Sequence, residues 1–150
     1  MSVSRDGLST AAESNAIESL LRARWLYHVG AVIATFMFWG SGLDKLINFS
    51  KAQGEMAHFG LNPPAVFAVA TILTQLVGSA LIITGSRFAW LGAGALIVFT
   101  VATIPVAHDF WNMQGEIAFI EKMVVFEHIT VCGGLMLAAL LAELRRDQRR

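Results

Sequence analysis

The sequence predicts an all-α integral membrane protein: an antiparallel bundle of four transmembrane helices with both termini in the cytoplasm. Three observations lead there. Four apolar stretches, roughly 25–43, 65–84, 88–107 and 123–142, each approach the ~20 residues that cross a ~30 Å hydrocarbon layer. Hydrophobic residues make up 55% of the 150 and charged residues only 15%, with a mean hydropathy of +0.60, far from the balance of a soluble domain. Arginine is distributed unevenly between the connections. Arg5, Arg22 and Arg24 precede the first stretch, Arg87 lies between the second and third, and Arg145, Arg146, Arg149 and Arg150 follow the fourth. Four spans put all of these on one side, and an excess of basic residues marks the cytoplasmic face.

Each element has a local reason. Residues 1–24 form a polar cytoplasmic segment, not a secretory leader: they carry Asp6, Glu13 and Glu18, and no small-residue cleavage site follows the apolar run. Thr10-Ala-Ala-Glu13 resembles a capping box, and Ile17, Leu20, Leu21 and Trp25 recur at helical spacing. The segment reads either as an amphipathic helix in the membrane interface or as a mobile tail. The first span, 25–43, ends at Asp44-Lys45. Asn62-Pro63-Pro64 suits a helix start, with asparagine as cap and proline in the first turn. Gly85-Ser86-Arg87 is a tight turn that makes the second and third helices antiparallel neighbours. Pro105 should bend the third helix near its outer end. The outer connections, 45–61 and 108–121, hold most of the polar chemistry, and 144–150 is a basic cytoplasmic tail. Gly30, Gly40, Gly42, Gly78, Gly92, Gly94, Gly133 and Gly134 are spread through the spans, where small residues let helix backbones approach in lipid.

Function classes narrow by elimination. A formal net charge of zero gives no basis for nucleic-acid binding. The single cysteine, Cys132, excludes an intrachain disulfide, a CxxC redox pair, and with them the four-helix quinone-linked disulfide generators. His28 and His58 fall far from His108 and His128 in the predicted topology, no HxxxH spacing occurs, and the lone ExxH, Glu55 to His58, lies in an outer connection away from the other histidines. No complete catalytic signature is present.

What remains is a handful of polar groups where they are expensive. Gln75 is at mid-span in the second helix. Asp44, Lys45, His108, Asp109, Glu127 and His128 reach one depth in the outer third of the bundle, and these seven are the candidate binding or functional residues. Glu127 and His128 are adjacent, so at most one can face the bundle axis squarely. His128 shares a helix face with Glu121, Val125, Cys132 and Leu135; Glu127 shares one with Ile120, Met123, Val131 and Gly134. A carboxylate at that depth needs a cation or a proton, and Lys45 or a cationic His128 is the expected partner of Glu127.

Several segments resemble a known family in order and spacing. Gly42-Leu43-Asp44-Lys45-Leu46 with Asn48-Phe49, Phe59-Gly60-Leu61-Asn62-Pro63, the run Leu76 to Gly85, Ala107-His108-Asp109-Phe110-Trp111 and Gly133-Gly134-Leu135-Met136 are similar to DoxX-like membrane proteins. The resemblance implies a DoxX-like domain over 25–143 in a multi-pass inner membrane protein. It also implies association with quinone-linked thiosulfate oxidation, or with thiol-stress complexes that contain soluble partners. The chain departs from the family pattern at two places. Gln75 stands where an acidic residue is typical, and Glu127-His128 where a lysine–asparagine pair is usual, which reads as a charge swap around one pocket.

The expectation is therefore a redox-associated membrane subunit, quinone- or thiol/sulfur-linked, with a polar pocket at its outer pole. No covalent cofactor motif exists, and the sequence names no cofactor; the ligand expected in the pocket is a quinone or another small apolar reductant. The protein's partners would be the bilayer, redox proteins and a second copy of the chain. A small proton- or cation-coupled transporter using Glu127, and a non-catalytic scaffold, are the alternatives.

Overall fold

The computed structural model describes Asn15 and residues 17–148. Thr10 and Glu13, the expected capping box, lie outside the described residues. Six helices follow one another: α1 (Arg24–Ala34), α2 (Phe36–Ile47), α3 (Phe49–His58), α4 (Pro64–Ile83), α5 (Ala89–Ala107) and α6 (Gly115–Asp147), with a single 3-10 turn at Phe110–Asn112 before α6. Residues 17–22 are helical too and expose Ile17, Leu20 and Leu21. Among the described residues there is no strand.

Three of these elements, α4, α5 continued through Asn112, and α6, are long and apolar enough to cross a membrane, and α1 with α2 makes a fourth candidate bent by 58°. Large apolar side chains point outward along all of them, Ile33, Val98 and Leu137 each more than two-thirds exposed. A soluble monomer rarely carries so continuous an apolar surface; a bilayer requires it.

The expected first span, 25–43, is therefore bent, and the break falls at Thr35. Thr35 is fully buried, and its hydroxyl donates to the Ala31 carbonyl at 2.7 Å. A threonine that bonds back to residue i−4 loosens the helix at that turn. The Trp39 indole N–H then donates to the Val32 carbonyl at 3.0 Å, the acceptor that residue 36 would take in an unbroken helix.

Three more expectations change. The connection 45–61 is largely helical: α3 buries Ala52 and Met56 against Ala68 of α4. Asn62 does not cap α4. Its amide donates to the Gly60 carbonyl, and Pro63 takes the cap position with Pro64 as the first helical residue. α6, which contains the expected fourth span, starts earlier and ends later than 123–142. Its 33 residues span ~50 Å at 1.5 Å per residue.

Packing joins the helices in a ring, α1–α2 to α4, α4 to α5, α5 to α6 and α6 back to α1. The core is Tyr27, Ala31, Phe38, Ile82, Ala93, Leu96 and Leu135. At one pole the Tyr27 hydroxyl donates to the Ile82 carbonyl at 2.6 Å, and Arg145 donates to the carbonyls of Leu21, Ala23 and Arg24. The start of α1, the α4–α5 turn and the end of α6 therefore meet at this pole. Gly85 closes the turn at φ +60°, in the left-handed region that suits glycine, with Tyr27 packed against it.

Small-residue packing operates at only some glycines. A Cβ on Gly92 would stand 2.6 Å from the Gly78 carbonyl oxygen, and one on Gly78 would stand 2.8 Å from Leu96 Cγ. The α4–α5 seam closes there. Gly30, Gly94, Gly133 and Gly134 have nothing within 4 Å of such a Cβ and pack against no other part of the described chain. Gly92→Ala should accordingly cost about 2 kcal/mol or more by overpacking. Gly94→Ala should be neutral or slightly stabilising through helix propensity. Denaturant titration of both variants in detergent, followed by circular dichroism, checks the contrast.

Candidate functional site

At the pole opposite the arginines, the helices leave a cavity of about 630 Å³. Its walls are apolar: Phe38, Phe59, Phe67, Phe99, Met37 and Met56 contribute, with Thr71, Thr74 and Thr103 between them. Its polar groups converge from five elements, Ser41 and Lys45 on α2, Glu55 on α3, Gln75 on α4, His108 just beyond α5, and Glu121 and His128 on α6. An apolar chamber with a few converging polar groups is the usual form of a small-molecule site.

Lys45 is the most enclosed charge. Its ammonium pairs with Glu55 Oε2 at 2.8 Å and lies 3.4 Å from the Ser41 hydroxyl oxygen. Deeper in the chamber the Gln75 amide N–H donates to the same hydroxyl at 3.4 Å, while Gln75 Oε1 is buried with no partner among the described residues. Gly42 makes this meeting possible, because a Cβ there would come within 3.2 Å of Gln75 Cβ and 2.8 Å of Leu76 Cδ2. An unsatisfied buried amide oxygen costs roughly 1–3 kcal/mol, a cost that a bound hydrogen-bond donor would remove.

The second polar group is a histidine pair. His108 Nδ1 lies 2.6 Å from Glu121 Oε2. The rings of His108 and His128 meet edge to face, centroids 4.8 Å apart. His128 Nδ1 donates to the Val124 carbonyl at 2.8 Å, which leaves its Nε2 to accept a hydrogen bond in the neutral ring. The Glu121 carboxylate orients His108, and the His128 ring packs edge to face against it.

Of the seven candidate residues, Lys45, Gln75, His108 and His128 line this cavity, and Asp44, Asp109 and Glu127 do not. Asp44 is exposed, accepts from Asn48 at 2.8 Å, and sits 4.0 Å from Lys51. Asp109 accepts from Asn112 at 3.1 Å. Glu127 is exposed on the outer flank of α6 and makes no ion pair among the described residues. Its expected pairing with Lys45 or His128 is therefore overturned: the lysine is taken by Glu55, and His128 turns inward with Val125 and Leu135 while Glu127 turns out. A charge swap around one pocket fails with it, since Gln75 is inside and Glu127 is not.

Glu55 and Glu121 also line the cavity, though neither is among the seven residues expected there. Glu121 was legible, seven residues before His128 on its inward face. Glu55 required knowing that 49–58 is a helix folded back against α4. Among the described residues no three His, Cys, Asp or Glu side chains stand together as a metal site.

Fold and chamber together define a class, a multi-pass membrane protein with a small-molecule cavity at one pole. The DoxX family model matches residues 29–109, more than half of the chain, and the chain belongs to that family. It is similar to the inner membrane protein YphA of Escherichia coli strain K12, 24% identical over 110 residues that cover 73% of this chain and 76% of the relative. No solved structure matches it. The protein is a multi-pass protein of the bacterial inner membrane.

The ion pairs make a direct prediction. In a double-mutant cycle, Lys45→Met and Glu55→Gln should couple by about 1 kcal/mol. Lys45→Met and Glu127→Gln should be additive, and Glu127→Gln alone should leave unfolding in detergent unchanged. Thermal melts of the six proteins read both results.

Proposed function

We propose that the protein is a redox-associated subunit of the inner membrane, a four-helix bundle with both termini cytoplasmic that holds a quinone or quinol in the cavity at its outer pole. The observation that carries this reading is the unpartnered Gln75 Oε1 at the wall of an apolar chamber. Oε1 is itself covered; with the amide turned toward the cavity, a quinol hydroxyl can donate to that oxygen and the second N–H of the same amide can serve a quinone carbonyl. The histidine pair supports the reading. Oxidation of a quinol releases two protons with its two electrons, and His108 with Glu121 offers a route for protons to the surface. With a single cysteine the chain has no thiol couple of its own, so the electrons pass to a partner protein.

Charge supports the neutral ligand over a transported cation. Lys45 is matched by Glu55, and Glu121 is engaged by the His108 ring, so neither carboxylate stands free to hold an ion. Glu127, the expected ion carrier, stands outside it.

Protein purified in mild detergent should yield an isoprenoid quinone on organic extraction and mass spectrometry. Gln75→Leu should lose most of it while melting at the same temperature or higher, because the substitution removes an orphaned polar group. An extract without quinone, or full retention by Gln75→Leu, would overturn the reading. For the topology, single cysteines in a Cys132→Ala background should be labelled from outside at Gln53 and Gln114 and protected at Arg87. Labelling of position 87 in intact cells would reverse the orientation.

A further inference from the structure

A second recess lies at the arginine pole, on the outer surface between α5 and α6. It is an open groove of about 540 Å³ whose floor is Ala93, Gly94 and Ile97 facing Met136, Ala139 and Leu140. A Cβ on Gly94 would meet nothing within 4 Å, so the floor is unfilled by the chain itself. At its end stand Arg87 from the α4–α5 turn, Arg146 and Glu143 from the last turns of α6, and Trp90. Trp90 is 64% exposed, placed as an interfacial tryptophan would be.

The two arginines are incompletely used. Arg87 stacks over Phe88 at 4.6 Å and has no carboxylate partner among the described residues. Arg146 pairs through one terminal nitrogen with Glu143, but its Nε is buried and has no acceptor among the described residues. Two guanidinium groups against one carboxylate leave the mouth of an apolar groove positively charged. Basic pockets between membrane helices at the cytoplasmic face recognise anionic head groups, and guanidinium groups match the geometry of phosphate oxygens.

We propose that this groove is a specific site for an anionic phospholipid, with the phosphodiester held between Arg87 and Arg146 and one acyl chain lying over Gly94 and Ala139. The site is independent of the cavity at the other pole. A zwitterionic phospholipid carries the same phosphate, but its head-group cation cancels the charge that the mouth selects.

Brominated acyl chains quench nearby tryptophan, and Trp90 sits on the groove. With Trp25, Trp39 and Trp111 replaced by Phe, Trp90 should be quenched more strongly by dibromo-phosphatidylglycerol than by dibromo-phosphatidylcholine in mixed vesicles. The preference should be about fivefold in apparent affinity, the effect of one net arginine charge at a membrane surface. It should vanish in Arg87→Gln/Arg146→Gln. Gly94→Leu, which fills the floor without disturbing a packed contact, should abolish it while leaving both arginines in place, so the test survives poor folding of the double variant. The same measurement with Trp25 as sole reporter, on the other side of this pole, should show no preference. Equal preference at Trp25 and Trp90 would mean diffuse attraction to a basic surface and would overturn the site, as would a preference retained in Gly94→Leu.

Discussion

The close approach of α4 and α5 at Gly78 and Gly92 governs the position of nearly everything else. Where a glycine Cβ would fall 2.6 Å from a backbone oxygen, the helices touch through main chain, and no side chain separates them. That contact pins α4 as the central element: α2 and α3 pack on one side, α5 on the other, and the start of α1 bonds to its end through Tyr27 and His28. Toward the opposite pole, larger residues replace the glycines. Thr71 and Thr74 on α4 face Phe99 and Thr103 on α5 across the cavity. The helices are tight at one end and parted at the other, and the cavity is the space between them. A membrane bundle gains no hydrophobic force from pressing its helices together, so such a space persists only because the seam holds elsewhere.

The sequence made the span positions plain because hydrocarbon thickness sets their length, whatever the fold. The inward face of α6 was legible only as one of two alternatives, that of His128 or that of Glu127. His128, Val125 and Leu135 recur at helical spacing, and all three turn toward the core or cavity. What could not be read were features decided by single bonds or by a neighbouring element. Thr35 looks like an ordinary apolar-span threonine until its hydroxyl is seen to take the Ala31 carbonyl. The stretch 49–58 is too polar to read as a membrane helix, yet Phe49, Ala52 and Met56 give it the stripe that packs on Ala68. Glu127 looked inward because a charge in a span was expected to find its partner within the same chain, and that premise failed. The nearest sequence neighbour, His128, took the inward position, and two adjacent residues on a helix cannot both have it.

The pairing of charges also decides what the cavity can select. An enclosed ammonium is tolerable only beside an acceptor, since an unpaired charge in this setting costs several kcal/mol. Glu55 supplies that acceptor from α3, an amphipathic helix outside the apolar spans, so the helix that closes the chamber also neutralises it. His108 is treated similarly by Glu121 from the first turns of α6. With Lys45 and the His108–Glu121 pair both engaged, the remaining unsatisfied group is the neutral amide of Gln75, and a neutral acceptor among phenylalanines and methionines discriminates by shape and by one hydrogen bond, not by charge. An uncharged ligand with a hydroxyl at one end and an apolar body satisfies that amide without disturbing either ion pair. A cation would have to displace Lys45 from Glu55 first and would leave the lysine buried and alone. The penalty falls on the ion and not on the neutral ligand, which is the physical basis for favouring an apolar hydroxyl-bearing carrier in this chamber.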